Sequence, residues 1–279
     1  MSELRLIEGE TYLYNGLIWI AKGYQHPPGK VIAFPKYSLL NYSKLSINSF
    51  YEKLYYWDCL KIEAPTLIID KIYHYTPIVD NSIQSIVKTL SELIGFENYS
   101  ITGSVVLSKY TENRDLDIVV YGFKREYIET IEKLINKEIL KPLNYGDLYS
   151  EYVSKHVNRI DFKTYFNIKK NTRLHFFYRD IHVNLRFNKY EKGFNKCIDP
   201  VYRREFLQGE IVIRECIDKY VIPSKYIIEY NSREYYLESY RELYAELPLG
   251  KYYVNGFLEY RSSGVYIIPD HGYLVYKNT

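Results

Sequence analysis

The first 78 residues read as strand-rich, short apolar runs separated by turn signals. Thr11-Tyr-Leu-Tyr, Asn15-Gly16 and Leu17-Ile-Trp-Ile-Ala predict a hairpin, because Asn-Gly supplies the positive φ that a two-residue turn needs. His26-Pro-Pro-Gly-Lys30 predicts a second turn, followed by a strand through Val31-Ile-Ala-Phe. Tyr55–Leu60 and Thr66–Ile72 predict a third strand pair, with Pro65 between them.

The pattern changes at Asp80-Asn81, which are good helix N-cap residues. Ile83, Ile86, Val87, Leu90, Leu93 and Ile94 recur at helical spacing, and Gly95 closes the run. Tyr99-Ser-Ile-Thr then predicts a strand running into Gly103-Ser104, and Leu116–Tyr121 a second strand after a polar loop. Arg125 to Leu140 is helical in pattern, with Tyr127, Ile128, Ile131, Leu134 and Ile135 on one face. Residues 144–165 also read as helix, and 174–187 as a hairpin around Arg179-Asp180. From about residue 195 strands and turns return, punctuated by Pro223, Pro248 and Pro269, and predict a small barrel or twisted sheet. The expectation is an α+β chain: β-rich over 1–78, mixed over 79–194, and β-rich over 195–279.

Composition changes this picture little. A formal charge of +3 is too small to argue for nucleic acid by itself. No apolar run approaches the ~20 residues of a spanning helix, and the first residues lack a secretory h-region, so a cytoplasmic protein away from membranes is expected. Cys59, Cys197 and Cys216 form no CxxC pair and read as buried free thiols. The outlier is tyrosine, 34 residues against four alanines. Spread through every segment, it reads first as sheet filler and second as a surface on which bases could stack.

One constellation carries chemistry: Gly103-Ser104, ten residues, then Asp115-Leu116-Asp117. Side chains alternate along a strand, so Asp115 and Asp117 point to one face while Leu116 and Ile118 turn to the core. Two adjacent carboxylates repel unless a cation lies between them, and carboxylate pairs suit Mg²⁺. Gly103 lets backbone approach a phosphate, and the Ser104 amide and hydroxyl can bond its oxygens. The alternative is a solvated strand edge, or a pair bonded to Lys109 and Arg114.

Helix, strand, Gly-Ser, loop and Asp-x-Asp strand, in this order, resemble the nucleotidyltransferases of the DNA polymerase β superfamily. The His26-Pro turn, Pro35-Lys-Tyr37 and Asp117–Gly122 also look like an archaeal group of predicted nucleotidyltransferases. The resemblance implies a central polymerase-β-like domain and transfer of a nucleoside monophosphate from an NTP to a hydroxyl of RNA, protein or a small molecule. It puts two Mg²⁺ on Asp115 and Asp117 and the triphosphate on Gly103 and Ser104. The family pattern carries Arg, Gly and Ser where this chain has Leu107, Ser108 and Arg114. It also needs a third carboxylate, for which Asp161 and Asp180 compete. On the strand expected beside Asp-x-Asp, Asp180, His182, Asn184 and Arg186 share a face, and the central position is Asn184. A second expectation is therefore a catalytically degenerate nucleotide- or RNA-binding module.

The remaining signals are weaker. The six histidines never fall at metal-ligand spacing, Lys169-Lys170…Arg173 and Arg203-Arg204 read as solvated turns, and there is no GxSxG elbow or P-loop.

Overall fold

The computed structural model describes residues 4–45, 54–107 and 115–277. It is mostly β, with 46% strand, 22% helix, four helices and three sheets among the described residues. This corrects the expectation of an α+β protein built around a polymerase-β-like core. The reason lies in strand length: beyond residue 199 the strands run to as many as 18 residues, whereas the two helices over Tyr145–Lys155 and Phe162–Lys169 have 11 and 8.

The chain forms two compact units. Unit 1 comprises 1–58, 62–140 and 177–198, and unit 2 comprises 59–61, 141–176 and 199–279. The boundaries expected from pattern ran consecutively along the chain, whereas both units are discontinuous.

Unit 1 begins with an antiparallel sheet of β1 (Thr11–Tyr14), β2 (Leu17–Ala21), β3 (Lys30–Ser38), β4 (Leu54–Trp57) and β5 (Ile62–Ile68) in the order β4-β5-β3-β2-β1. The expected hairpin is present: Asn15 and Gly16 both have positive φ, 51° and 71°, as a twisted two-residue turn requires. Pro65 lies within β5 and not between strands, opposite Leu54 of β4. Pairing of β5 with β3 starts one residue later, at Thr66, so the missing N–H disturbs no ladder.

Helix α1 (Asn81–Ile94) follows. Asp80 Oδ1 accepts the Ile83 amide at 2.9 Å, and Gly95 ends the helix at φ 94°. Ile83, Ile86, Val87, Leu90 and Ile94 are buried. β6 (Tyr99–Thr102), a 3₁₀ turn over Gly103–Leu107, β7 (Leu116–Tyr121) and α2 (Arg125–Asn136) complete this stretch. β8 (His175–Tyr178) and β9 (Ile181–Asn188) turn at Arg179-Asp180, both at positive φ. β9 pairs in parallel with β7, and β6 antiparallel on the other side of β7.

Unit 2 holds α3 (Tyr145–Lys155), α4 (Phe162–Lys169) and a closed barrel. Its strands are β10 (Val201–Asp218), β11 (Ser224–Tyr230), β12 (Arg233–Ser239), β13 (Gly250–Arg261) and β14 (Gly264–Lys277). They close in the order β10-β11-β12-β14-β13, with β13 returning to β10 and only β12 and β14 parallel. Irregularities in the β10–β11 register near Ile213 and Cys216 help the long strand bend around. Of the two shapes expected here, small barrel and twisted sheet, the barrel is present.

Cys59 and Cys197 are disulfide-bonded and Cys216 is a free thiol, which corrects the reading of three free thiols. No helix among the described residues is long and apolar enough to cross a membrane.

Candidate metal and nucleotide site

Strand alternation produces the site on β7. Leu116, Ile118 and Val120 are buried, and Asp115 and Asp117 are half-buried on the opposite face. Asp117 is the register partner of Thr102 on β6 and of Asn184 on β9, so it sits in the middle of three strands.

Gly103 ends β6 at φ 75°, a conformation that favours glycine, and its backbone lies directly against the Asp117 carboxylate. A Cβ built on Gly103 would overlap Asp117 Oδ2. The Gly-Ser step and the second aspartate, fourteen residues apart in sequence, are therefore one packed unit.

Two side chains of β9 face the aspartates. Asn184 Nδ2 donates to Asp117 Oδ1 at 2.9 Å, and His182 Nδ1 lies 3.0 Å from Asp115 Oδ1. Asn184 is 6% exposed, yet its Oδ1 is buried with no hydrogen-bond partner among the described residues. An orphaned amide oxygen beside a carboxylate and a backbone cradle fits a cation, which would take oxygen from both.

Lys36 of β3 stands in the field of Asp117 and of Arg186, the next residue of β9 on this face after Asn184. Burial chiefly, and then repulsion by Arg186, lowers its ammonium to about 8, while Asp117 pulls it up. Positive charge held against desolvation beside Asp117 suits an anion at this end of the face. Further along, Gly9 packs on Val119 and the Asn188 side chain donates to Glu8 O at 2.6 Å, so the same face is covered there.

Asp180 does not join this group. It lies exposed in the β8–β9 turn at φ 61°, four residues before Asn184, about 13 Å along a strand from the level of Asp117. Asp161 is the N-cap of α4 in unit 2, its oxygens accepting the Thr164 amide at 2.9 Å and the Thr164 hydroxyl at 2.6 Å.

Leu107, where the resembled family carries Arg, is buried with Ile18, Ile20, Tyr37 and Val106. Ser108, Lys109 and Arg114 lie outside the described residues.

Neither a family model, nor a curated protein, nor a solved structure matches the chain. The site is therefore read on its own geometry.

Lys36 is the residue that pattern did not single out. Its proximity to Asp117 depends on how β3 is set against β7, for which no local signal exists in the sequence. His182 shared a face with Asp180 and Asn184 in the sequence, and it is Asp115 that it meets.

Proposed function

We propose that unit 1 binds a nucleoside triphosphate through a divalent cation, Mg²⁺ in the cell, and holds it without transferring its nucleotidyl group. Asp115, Asp117 and the Asn184 amide oxygen would ligate the cation, with Gly103 and Ser104 presenting backbone and hydroxyl to the triphosphate. Lys36 and Arg186 supply positive charge on the same face. A bound cation would neutralise phosphate charge and screen the two aspartates from each other.

The observation that carries this reading is Asn184 opposite Asp117. A carboxylate at that position would accept a proton from an attacking hydroxyl. The asparagine amide cannot, and its Nδ2 is already donating to Asp117.

Nucleotidyl transfer to a hydroxyl of RNA, protein or a small molecule is the second reading. The close packing of Gly103 on Asp117 favours it, because that packing aligns phosphate cradle and carboxylate pair as transfer would need. One experiment separates the two. Each labelled NTP is incubated with the protein, Mg²⁺ and cellular RNA, beside an Asp115→Ala/Asp117→Ala control. Metal-dependent NTP binding without label transfer supports the first reading, and transfer lost in the control supports the second. Binding of no NTP by the wild type would sink both.

A further inference from the structure

Unit 1 contains a second concavity, a cleft of about 590 Å³ bordered by α1, β6 and the segment 74–79. Arg5, His74, Gln84, Lys88, Tyr99 and Ser100 are among its lining residues, and none of the lining residues among those described is acidic. Its size falls within the range of small-molecule sites.

Carboxylates contact the lining residues at Glu10, fully buried against His74, and at the exposed Glu92, 4.0 Å from Lys88. Glu10 accepts the amides of Arg5 and Leu6 at 3.0 and 2.7 Å and the Tyr12 hydroxyl at 2.6 Å, and His74 Nδ1 is 3.2 Å from its Oε1. Burial pushes the Glu10 pKa up, but His74, Tyr12 and the Arg5 amide outweigh it and hold the carboxyl below its usual value. Its charge is spent on these donors and steadies His74 in the wall.

Two cationic side chains line the cleft. The Arg5 guanidinium lies 4.7 Å from the centre of the Tyr121 ring, which fixes it against β7. Lys88 projects from α1, mostly exposed, 4.0 Å from Glu92. Ser100, Tyr75 and Tyr99 also line the cleft, with the Tyr75 hydroxyl anchored on Val106 O at 3.1 Å.

We propose that this cleft binds a phosphorylated small molecule, with Arg5 and Lys88 taking the phosphate and the tyrosines covering its organic part. A guanidinium fork and an ammonium match a phosphate dianion, and no acidic residue among the described lining opposes it. The cleft needs no metal and is distinct from the carboxylate pair. Its Ser100 pairs with Val119, whereas Asp117 pairs with Thr102, two residues or about 7 Å along the sheet.

The test is titration of the full chain in EDTA with inorganic phosphate, ribose 5-phosphate and AMP, with ribose as control, followed by calorimetry and amide NMR. The phosphorylated compounds should bind and ribose should not, with shifts at His74, Gln84 and Ser100. Lys88→Glu, on an exposed helix face, should weaken binding about tenfold or more, as should Arg5→Gln if it folds. Asp117→Ala should leave binding within about twofold. Failure of all three phosphates to bind, equal binding of ribose, or an unchanged affinity in Lys88→Glu overturns the proposal. Binding that requires Mg²⁺ and disappears in Asp117→Ala also overturns it, while leaving the nucleotide reading of the carboxylate pair intact.

Discussion

Asn184 and Asp117 are register partners on parallel strands, joined by a 2.9 Å hydrogen bond from Nδ2 to Oδ1. The amide gives Asp117 a donor and leaves its own oxygen unspent. Asn184→Asp replaces that donor with a second carboxylate. At pH 7 without metal this should cost about 1–3 kcal/mol, because one of the two acids is pushed toward protonation. Mg²⁺ should restore the loss. Thermal melts in EDTA and in Mg²⁺ check both, and a variant as stable as wild type in EDTA would show that the two groups do not interact.

Gly103→Ala tests the cradle. Positive φ alone costs an alanine about 1–3 kcal/mol, and the added methyl collides with the Asp117 carboxylate. Urea denaturation should show at least that loss, together with disappearance of any Mg²⁺-dependent stabilisation. Gly95, at φ 94° with open space around it, serves as a control: Gly95→Ala should lower stability without altering the metal response.

Leu107→Arg introduces the residue of the resembled family and should fail to help. The guanidinium would enter the apolar cluster of Ile18, Ile20, Tyr37 and Val106. A loss of about 3 kcal/mol or more is expected, read from the denaturation midpoint. Improved NTP affinity with unchanged stability would contradict this packing.

His26 gives unit 1 an acid sensitivity. Its ring is fully buried, with Nε2 donating to Leu6 O at 2.7 Å and Nδ1 accepting the Ile32 amide at 3.2 Å, so it is neutral when folded. Burial lowers its pKa to about 4, against an ordinary 6.5. Below pH 6.5 the unfolded chain binds a proton that the folded chain refuses. Stability is therefore complete above that pH and declines toward pH 4, by about 1.4 kcal/mol per unit at the steepest. Denaturation between pH 7 and 4.5 should show this slope, and His26→Gln should flatten it while lowering stability throughout. His156 in unit 2, also lowered to about 4 by burial, should leave a residual slope in that variant.

In the barrel, Arg261 bonds Glu259 through Nε at 2.9 Å and Glu238 at 2.6 Å, with all three side chains under 10% exposed. Arg204 also donates to Glu259, so removing Arg261 strands Glu238 alone. Arg261→Met should cost about 3–5 kcal/mol, whereas adding Glu238→Gln should recover much of it. Urea melts of the single and double variants measure the difference, and a single variant within about 1 kcal/mol of wild type would refute the coupling.

The sequence by itself determined what is local. The cap and period of α1, the Asn15-Gly16 hairpin, and the common face of Asp115 and Asp117 all follow from φ preferences and side-chain periods acting over a few residues. Tyrosine in the barrel is legible in the same way: Tyr226 and Tyr252 are buried there, while Tyr236 and Tyr266 pack against each other, all four on strands.

The tertiary structure decided register and enclosure, which are set by contacts between residues far apart in the chain. The alternation of β9 puts Asn184 and Asp180 on one face, but only parallel pairing with β7 brings Asn184, and not Asp180, opposite Asp117. Pattern marks Leu107 as apolar without saying that it faces Ile18 and Ile20, and it says nothing of Lys36 near Asp117. The helices after residue 141 have amphipathic signals too weak to tell which core they join, and they fold with unit 2. Barrel closure depends on β12 meeting β14 in parallel. Periodicity is a property of neighbours along the chain; the site is made by neighbours across it.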